Sequence, residues 1–416
     1  MDRRTLIRLG LATGASAFAG QFSFAAPAAT QNRLVFIILR GALDGLSAVP
    51  PVGDPDYARL RGELALAPPG GANTALPLNG TFGLNPGFSF LHDSYAVKEL
   101  LVFHAVATPY RERSHFDGQD VLENGLSQPH ASATGWLNRA LSGLPAGNRS
   151  RESGVALAQN VPLVLRGPAA VSSWSPSVLP DLDADTLQRI ADRYASDPVL
   201  SRRLADAMAT DKLATEAQSR PAAATEATMA SSQAEQGAGA VRSTAARYTE
   251  TVKTAAGFLC REDGPSVAVF DTTGWDTHFN EGGGQGQLRT RLAVLDETLR
   301  TLKQSMGDTW SRTAVLLATE FGRTAAANGT RGTDHGTGSA AFLLGGAVAG
   351  GRVVADWPGL SPSSLYQQRD LKPTLDVRSV MKSLLHDHLQ IAKASLDNDV
   401  FPDSKSALYL QNLLRA

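Results

Sequence analysis

Short, uninterrupted apolar runs recur along the chain, each broken off by a turn containing glycine or proline. Leu34 to Leu39, in "RLVFIILRGALDGL", predicts a buried strand that gives way to a glycine turn. "ELLVFHAVAT" (Glu99 to Thr108), "SVAVFDTTGWDTHFN" and "TAVLLATEFGRT" (Thr313 to Thr324) predict three more, and "AAFLLGGAV" is a fifth candidate. Between the third and fourth runs, "QLRTRLAVLDETLRTLKQSM" sets Leu288, Leu292, Leu295, Leu299 and Leu302 at helical spacing with charges between them, as a crossover helix requires. Apolar runs alternating with helices predict an α/β fold: a central, mostly parallel sheet flanked by helices on both faces.

The pattern changes between about residues 176 and 257, where Ala, Ser, Thr, Gln, Asp and Glu dominate and large apolar residues thin out. "DADTLQRIADRYASDPVLSRRLADAMA" reads as a pair of amphipathic helices, and "TEAQSRPAAATEATMASSQAEQGAGA" is weakly patterned. This stretch is expected to be a helical insertion on the α/β core. No solenoid-type repeat is visible.

The first residues do not belong to that fold. "MDRRTLIRLG" carries paired arginines, Arg3 and Arg4, and an apolar stretch rich in Ala and Gly follows, then small residues at Ala26-Pro27-Ala28. Residues 1–29 are therefore expected to be a twin-arginine export signal and 30–416 the exported domain, periplasmic or secreted. No later run reaches the roughly 18–20 apolar residues of a membrane-spanning helix. The expected partner of that segment is the twin-arginine export machinery.

Composition adds little. Apolar content of 43% and charged content of 19% are those of a globular protein. The formal charge of −1 gives no electrostatic reason to expect nucleic acid as a partner. Cys260 is the single cysteine, which leaves no intrachain disulfide.

The chemistry gathers where the predicted strands end, the place where open α/β sheets bind ligands. Asp44 follows the first strand; Ser114, His115 and Asp117 follow the second; Asp271, Asp276 and His278 follow the third; Glu320 ends the fourth. "GTDHGTG" adds Asp334 and His335 in a glycine-rich loop. Carboxylates mixed with imidazoles suit divalent ions, one or two of Zn, Mn or Ca. Each piece also has a plainer reading. Asp44 can bond its own turn, Ser114 can cap a helix with Asp117 in its first turn, and Glu320 can pair with Arg323. His104 reads as core, His92 and His130 as surface, and His386 and His388 as poor co-ligands because their spacing puts them on different sides of a helix.

In order along the chain, "RGALDGL", "RSHFDGQD", "TGWLNR", "GWDTHFN", "TEFGRT" and "GTDHGTG" resemble the motifs of the bacterial domain-of-unknown-function family 1501. The resemblance runs from about Leu34 to near the C-terminus. It implies an alkaline-phosphatase-like fold, shared with sulfatases and phosphodiesterases, with metal sites at the strand ends. By that resemblance Asp44 would bind a second metal and Ser114 would be the nucleophile. Asp276, His278 and His335 would hold the first metal, with Asp334 beside them and Asp271 as a competitor of Asp276. Glu320 stands where relatives have an aspartate followed by histidine. Here Phe321 follows, so His115 or His335 would replace the missing imidazole, or the site would hold one ion. Arg323 would hold a non-bridging oxygen of the substrate.

Two functions are compatible with this pattern. One is an exported metal-dependent hydrolase of a phosphate or sulfate ester borne on a small molecule or a polymer. The other is a non-catalytic cell-envelope protein that keeps the fold and a structural metal and works with an exported partner protein, as the resemblance implies. "FLCREDG" lacks the context in which a cysteine becomes formylglycine, which argues against that type of sulfatase.

Overall fold

The computed structural model describes residues 31–71, 73–145, 153–175, 189–191, 193–194, 196–218 and 237–415. The expected export signal and the centre of the Ala-rich stretch lie outside them.

Eleven strands are found among the described residues: β1 (Arg33–Arg40), β2 (Leu76–Pro77), β3 (Gly83–Leu84), β4 (Leu100–Ala107), β5 (Gly154–Ala156), β6 (Val171–Ser173), β7 (Val267–Thr273), β8 (Thr313–Ala318), β9 (Ser339–Leu344), β10 (Arg352–Val354) and β11 (Leu375–Asp376). β2 and β3 form a small hairpin, and the other nine make one sheet in the order β10-β4-β9-β8-β1-β7-β5-β6, with β11 also on β4. The helices that matter below are α1 (Gly45–Ala48), α2 (Tyr57–Arg61), α3 (Ser89–Ala96), α4 (His115–Asn124), α5 (Trp136–Ser142), α6 (Pro198–Gln218), α7 (Gly237–Leu259), α8 (Gln287–Met306) and α9 (Val377–Leu389).

The five apolar runs are all strands, and their continuity has a packing reason. Side chains alternate across a strand. In β1 Val35, Ile37 and Leu39 enter one core layer with Leu288, Leu292, Leu295 and Leu299 of α8. Leu34, Phe36 and Ile38 enter the opposite layer with Trp136 and Leu137 of α5 and Val380 and Leu384 of α9. A strand covered on both faces has no side left for polar residues. The chain thus forms a mixed α/β fold around a largely parallel sheet flanked by helices.

One strand departs from the pattern. β9 runs antiparallel to both neighbours, β4 and β8, while the other pairings in this sheet are parallel. A parallel partner needs a long crossover that returns the chain to the opposite end, whereas an antiparallel one needs none. The connection from β8 to β9, residues 319–338, therefore stays at the end of the sheet where β1, β4 and β7 also finish.

The expected insertion contributes the described helices α6 and α7. The second half of α7 is part of the core rather than an appended cap. Val252, Ala255, Ala256, Phe258 and Leu259 are buried in the same layer as α8. This part of the helix leads into β7, and small Ala residues let it lie close to the sheet.

Candidate metal centre

Four connections converge at the strand ends. Beyond β4 the chain turns through Arg113, held at φ 62°, into α4, whose first residue is His115. Beyond β7, Gly274 at φ 96° turns the chain so that Asp276 and His278 follow. Glu320 and Arg323 come directly after β8, and Asp334 and His335 just before β9. Gly336 allows this last loop to close on itself: a Cβ there would lie 2.3 Å from the carbonyl carbon of Arg323. The glycines of "GTDHGTG" thus serve backbone-on-backbone packing. Gly41, at φ 117°, does the same after β1, where a Cβ would lie 2.8 Å from the Asp276 nitrogen.

One ligand atom each from His115, Asp276 and His335 fall within 4.8 Å of one another, and this is the cluster of metal-ligand type found among the described residues. His278 adjoins it. The Nε2 atom of His335 lies 3.0 Å from His115 Nε2 and 2.9 Å from His278 Nε2. Asp276 Oδ1 lies 3.1 Å from His278 Nε2 and 3.3 Å from His335 Nε2, and its Oδ2 is 3.5 Å from His115 Nε2.

The other nitrogen of each ring is already committed. His115 Nδ1 is 2.8 Å from Glu320 Oε1, His335 Nδ1 is 2.9 Å from the Arg113 carbonyl, and His278 Nδ1 is 3.3 Å from Asp334 Oδ1. Carbonyls and carboxylates only accept, so these contacts place a hydrogen on Nδ1 of His115 and His335, and Asp334 accepts one from His278 Nδ1 whenever its Nε2, 3.1 Å from Asp276 Oδ1, serves as a ligand. With the hydrogen on Nδ1, each ring turns a bare Nε2 lone pair inward. His335 Nε2 has one lone pair but faces two nitrogens, so a proton can relieve at most one of the two contacts. A cation relieves both. Ligands about 2.0–2.1 Å from a tetrahedral ion stand roughly 3.3 Å apart, and the separations above bracket that value. The residues fit a divalent metal.

Protonation of the surrounding groups follows from the same contacts. The hydrogen bond to Glu320 raises the His115 pKa against the opposing effect of burial. Burial lowers that of His335, and the charges of His115 and Arg323 add to the effect. For Glu320 burial works upward, but His115, Gln119 and the Gly41 N–H outweigh it and hold the carboxyl below its ordinary value. Burial likewise works upward on Asp276, where Arg323 and the histidines prevail.

Several expected ligands prove to have other partners. Glu320 is fully buried and accepts hydrogen bonds from Gly41 N (2.8 Å), Gln119 Nε2 (3.1 Å) and Thr319 Oγ1 (2.9 Å) besides holding His115. Asp334 holds His278 in the same way. Arg323 is engaged within the protein. Its guanidinium is buried and donates to Asp276 Oδ1 at 2.5 Å, to Thr333 Oγ1 at 3.1 Å and to the Thr333 carbonyl. Asp271 pairs with Arg40 at 2.5 Å.

Asp44 is the most fully engaged of these residues. It caps α1, accepting from Leu46 N at 2.9 Å and Ser47 N at 3.1 Å, and it pairs with the fully buried guanidinium of Arg61. Arg61 also lies 3.5 Å from Glu281, whose carboxyl receives Ser47 Oγ at 2.7 Å, Thr277 Oγ1 at 2.9 Å and Thr333 Oγ1 at 2.8 Å. Burial and the neighbouring Asp44 push the Glu281 pKa up to about 8. A guanidinium thus stands beside Asp44 where the resemblance implies a second ion. Arg61 and Glu281 had no signal in the sequence beyond the closeness of Glu281 to "GWDTHFN".

Ser114 precedes His115 as the N-cap residue of α4, half-buried, with no capping bond from its side chain. Its N–H donates to the Tyr110 hydroxyl at 3.3 Å, which donates to Asp117 at 3.3 Å. Asp117 also meets His130 at the surface. The remaining histidines are structural. Buried His104 faces the Val49 carbonyl at 2.9 Å, buried His388 the Arg33 carbonyl at 2.9 Å, and His386 the Ile391 carbonyl at 2.9 Å. His92 lies 3.0 Å from the Pro77 carbonyl.

Comparison with known proteins gives a family and distant structural likenesses. The chain is similar to a phosphonate monoester hydrolase of Agrobacterium radiobacter, at 11% identity over 86% of this chain and 74% of that one, with a TM-score of 0.39. It is also similar to the PsFucS1 sulfatase from Pseudoalteromonas sp., at 12% identity over 92% of this chain and 74% of that one, with a TM-score of 0.40. No curated protein matches the sequence. Residues 96–400, well over half of the chain and the span that holds every residue of the metal cluster, match the family described as "Protein of unknown function (DUF1501)", and the chain belongs to that family.

Proposed function

We propose that the protein is an exported hydrolase of a phosphate or sulfate ester that works with a single divalent ion held by His115, Asp276, His278 and His335. The observation that carries this reading is the convergence of three Nε2 atoms whose rings are each fixed from behind by Glu320, Asp334 or the Arg113 carbonyl. Such outer contacts orient imidazoles for metal binding. Three imidazoles and one carboxylate favour Zn or Mn over Ca, which prefers oxygen ligands throughout. Asp44 is engaged by Arg61, so the reading has one ion instead of two.

When bound, the ion would act as a Lewis acid toward an oxygen of the transferring group. The chain's own residues do the rest. Arg323 fixes Asp276, and Glu320 fixes His115. Ser114, at the start of α4, is the nucleophile of this reading. Its Oγ bonds to phosphorus or sulfur as the ester bond to the alcohol breaks, and the hydroxyl proton ends on the departing alcohol. Water then cleaves the seryl ester and restores the hydroxyl.

The test is elemental analysis of the mature protein, purified without chelator, beside His278→Ala and Asp276→Ala. About one ion per chain in the wild type, lost in both variants while they stay folded, supports the site. Equal, substoichiometric metal in all three proteins refutes it. A screen of phosphate and sulfate esters follows, with Ser114→Ala as control. One observation favours a second reading, a non-catalytic exported protein with a structural metal: four protein ligands can close a tetrahedral ion without a vacant position. Metal binding with no ester turnover supports that alternative.

A further inference from the structure

Beside the metal cluster lies a cavity of about 240 Å³. Asp334, the carboxylate behind His278, is part of its wall, so the cavity is separated from the cluster by that one imidazole ring. Leu60 and Leu365 give it an apolar side; Asn328, Gln368 and Arg369 give it hydrogen-bonding groups. It is smaller than the roughly 300–1,000 Å³ of pockets that enclose drug-sized ligands. The space suits one small ring or a short polar chain.

The loop that presents Arg369 is held in a costly shape. Gln367 (φ 51°) and Gln368 (φ 55°) are consecutive non-glycine residues in the left-handed region, each a local strain that persists only when the surroundings enforce it. The enforcing group is Arg113. Its Nε donates to Asp370 Oδ2 at 2.9 Å and its Nη2 to Gln367 Oε1 at 2.6 Å, while its carbonyl receives His335 Nδ1. Ala325 N donates to the Arg369 carbonyl at 3.1 Å. A residue itself at φ 62° thus ties this loop to the metal cluster.

Arg369 is exposed, and its charge is loosely compensated. Nη2 donates to the His335 carbonyl at 2.9 Å, and Nη1 stands 3.5 Å from Asp370 Oδ1, an atom that accepts no hydrogen bond. A guanidinium has five N–H donors, so donors remain for a ligand. A planar, bidentate acceptor is the partner that such a group recognises best.

We propose that this cavity is the subsite for the alcohol portion of the ester, and that Arg369 selects esters in which that portion carries a carboxylate. The inference rests on the hydrolase reading for the word "ester", but binding tests it separately. Benzylphosphonate and 3-carboxybenzylphosphonate, which cannot be hydrolysed at this bond, are titrated into metal-loaded wild type, Arg369→Gln and Arg369→Lys. The corresponding benzyl phosphates and benzyl sulfates are assayed for turnover in parallel.

In the wild type the carboxylated phosphonate binds on the order of tenfold tighter, the effect of one charge-assisted contact. The preference falls below about twofold in Arg369→Gln and is partly restored in Arg369→Lys. Metal content, measured in every variant, confirms that the His335 carbonyl contact has not disturbed the cluster. Equal wild-type affinities, or a preference that survives in Arg369→Gln, overturn the subsite even if the esters are hydrolysed. A preserved preference without turnover of any of these esters overturns the hydrolase and leaves the subsite standing. Failure of both phosphonates to bind overturns both.

Discussion

Replacing Glu320 separates what holds the fold from what prepares the metal site. Its carboxylate lies wholly inside the protein and serves four donors: Gly41 N, Gln119 Nε2, Thr319 Oγ1 and His115 Nδ1. Glu320→Gln is nearly isosteric. With its amide oxygen at the Oε1 position it still accepts from three of them, and Thr319 keeps the Leu39 carbonyl at 2.7 Å as an alternative acceptor. The unfolding free energy from urea titration should therefore change little, by about 1 kcal/mol or less. What disappears is the negative charge behind His115, and with it the added basicity of Nε2. Loss of such an outer contact weakens metal binding by roughly 10- to 100-fold, about 1.4–2.8 kcal/mol. Glu320→Ala should act quite differently. It strands the buried Gly41 N–H, while Thr319 turns to the Leu39 carbonyl, so it should destabilise the protein by roughly 1–3 kcal/mol. The assay is a competition titration against a chromogenic chelator, paired with urea unfolding of the metal-free forms. Unchanged metal affinity in Glu320→Gln would refute the argument, because His115 would then need no carboxylate behind it.

Asp44→Asn should lower stability by several kcal/mol, since it leaves the Arg61 guanidinium buried without its main counter-charge; if it also strips metal from the protein, Asp44 is a ligand after all. Burial holds the pKa of both His104 and His388 down to about 4, against roughly 6.5 in an unfolded chain. The unfolded state then takes up protons first, so this stability is fully present above about pH 6.5 and is lost as pH falls toward 4, on the order of 3 kcal/mol per histidine. Urea midpoints between pH 7 and 4.5 should show that slope and His388→Gln should flatten it; equal slopes would contradict the assignment. Gly118→Ala should be destabilising despite the helix propensity of alanine, worth about 1 kcal/mol. A Cβ there would meet the ring of buried Phe321, which stacks on His115, at 2.8 Å. Chelator titration should show weaker metal binding alongside, and a thermal melt at or above the wild-type temperature would rule the clash out.

The strands and the crossover helix were legible because a doubly covered strand must be apolar throughout and a helix buried on one side must repeat every three to four residues. Neither pattern carries direction, which is why the reversal of β9 does not show in "AAFLLGGAV". The site was legible as a list of residues but not as a set of roles. Asp276 and His278 stand two apart and reach the same cluster, whereas adjacent Asp334 and His335 divide the work, His335 facing the cluster and Asp334 holding His278 from behind. Neighbours in extended backbone face opposite ways, so only one of that pair could be expected to act as a ligand. Arg61 could not be foreseen. It is a charged residue in a short helix, and its burial against Asp44 and Glu281 exists only once three remote segments are packed together. The left-handed Arg113 is invisible for a related reason, since nothing in an arginine codon announces a positive φ.

The reversed strand also decides what an ion in this site would hold together. His115 follows β4, Asp276 follows β7, and between those two strands lie β9, β8 and β1. An ion gripping both would act as a tie-rod across the middle of the sheet, closing the open end that no backbone hydrogen bond spans. Withdrawing it would slacken the segment between β4 and His115 and the 319–338 connection before anything else. Limited proteolysis with and without chelator should find its earliest cuts there.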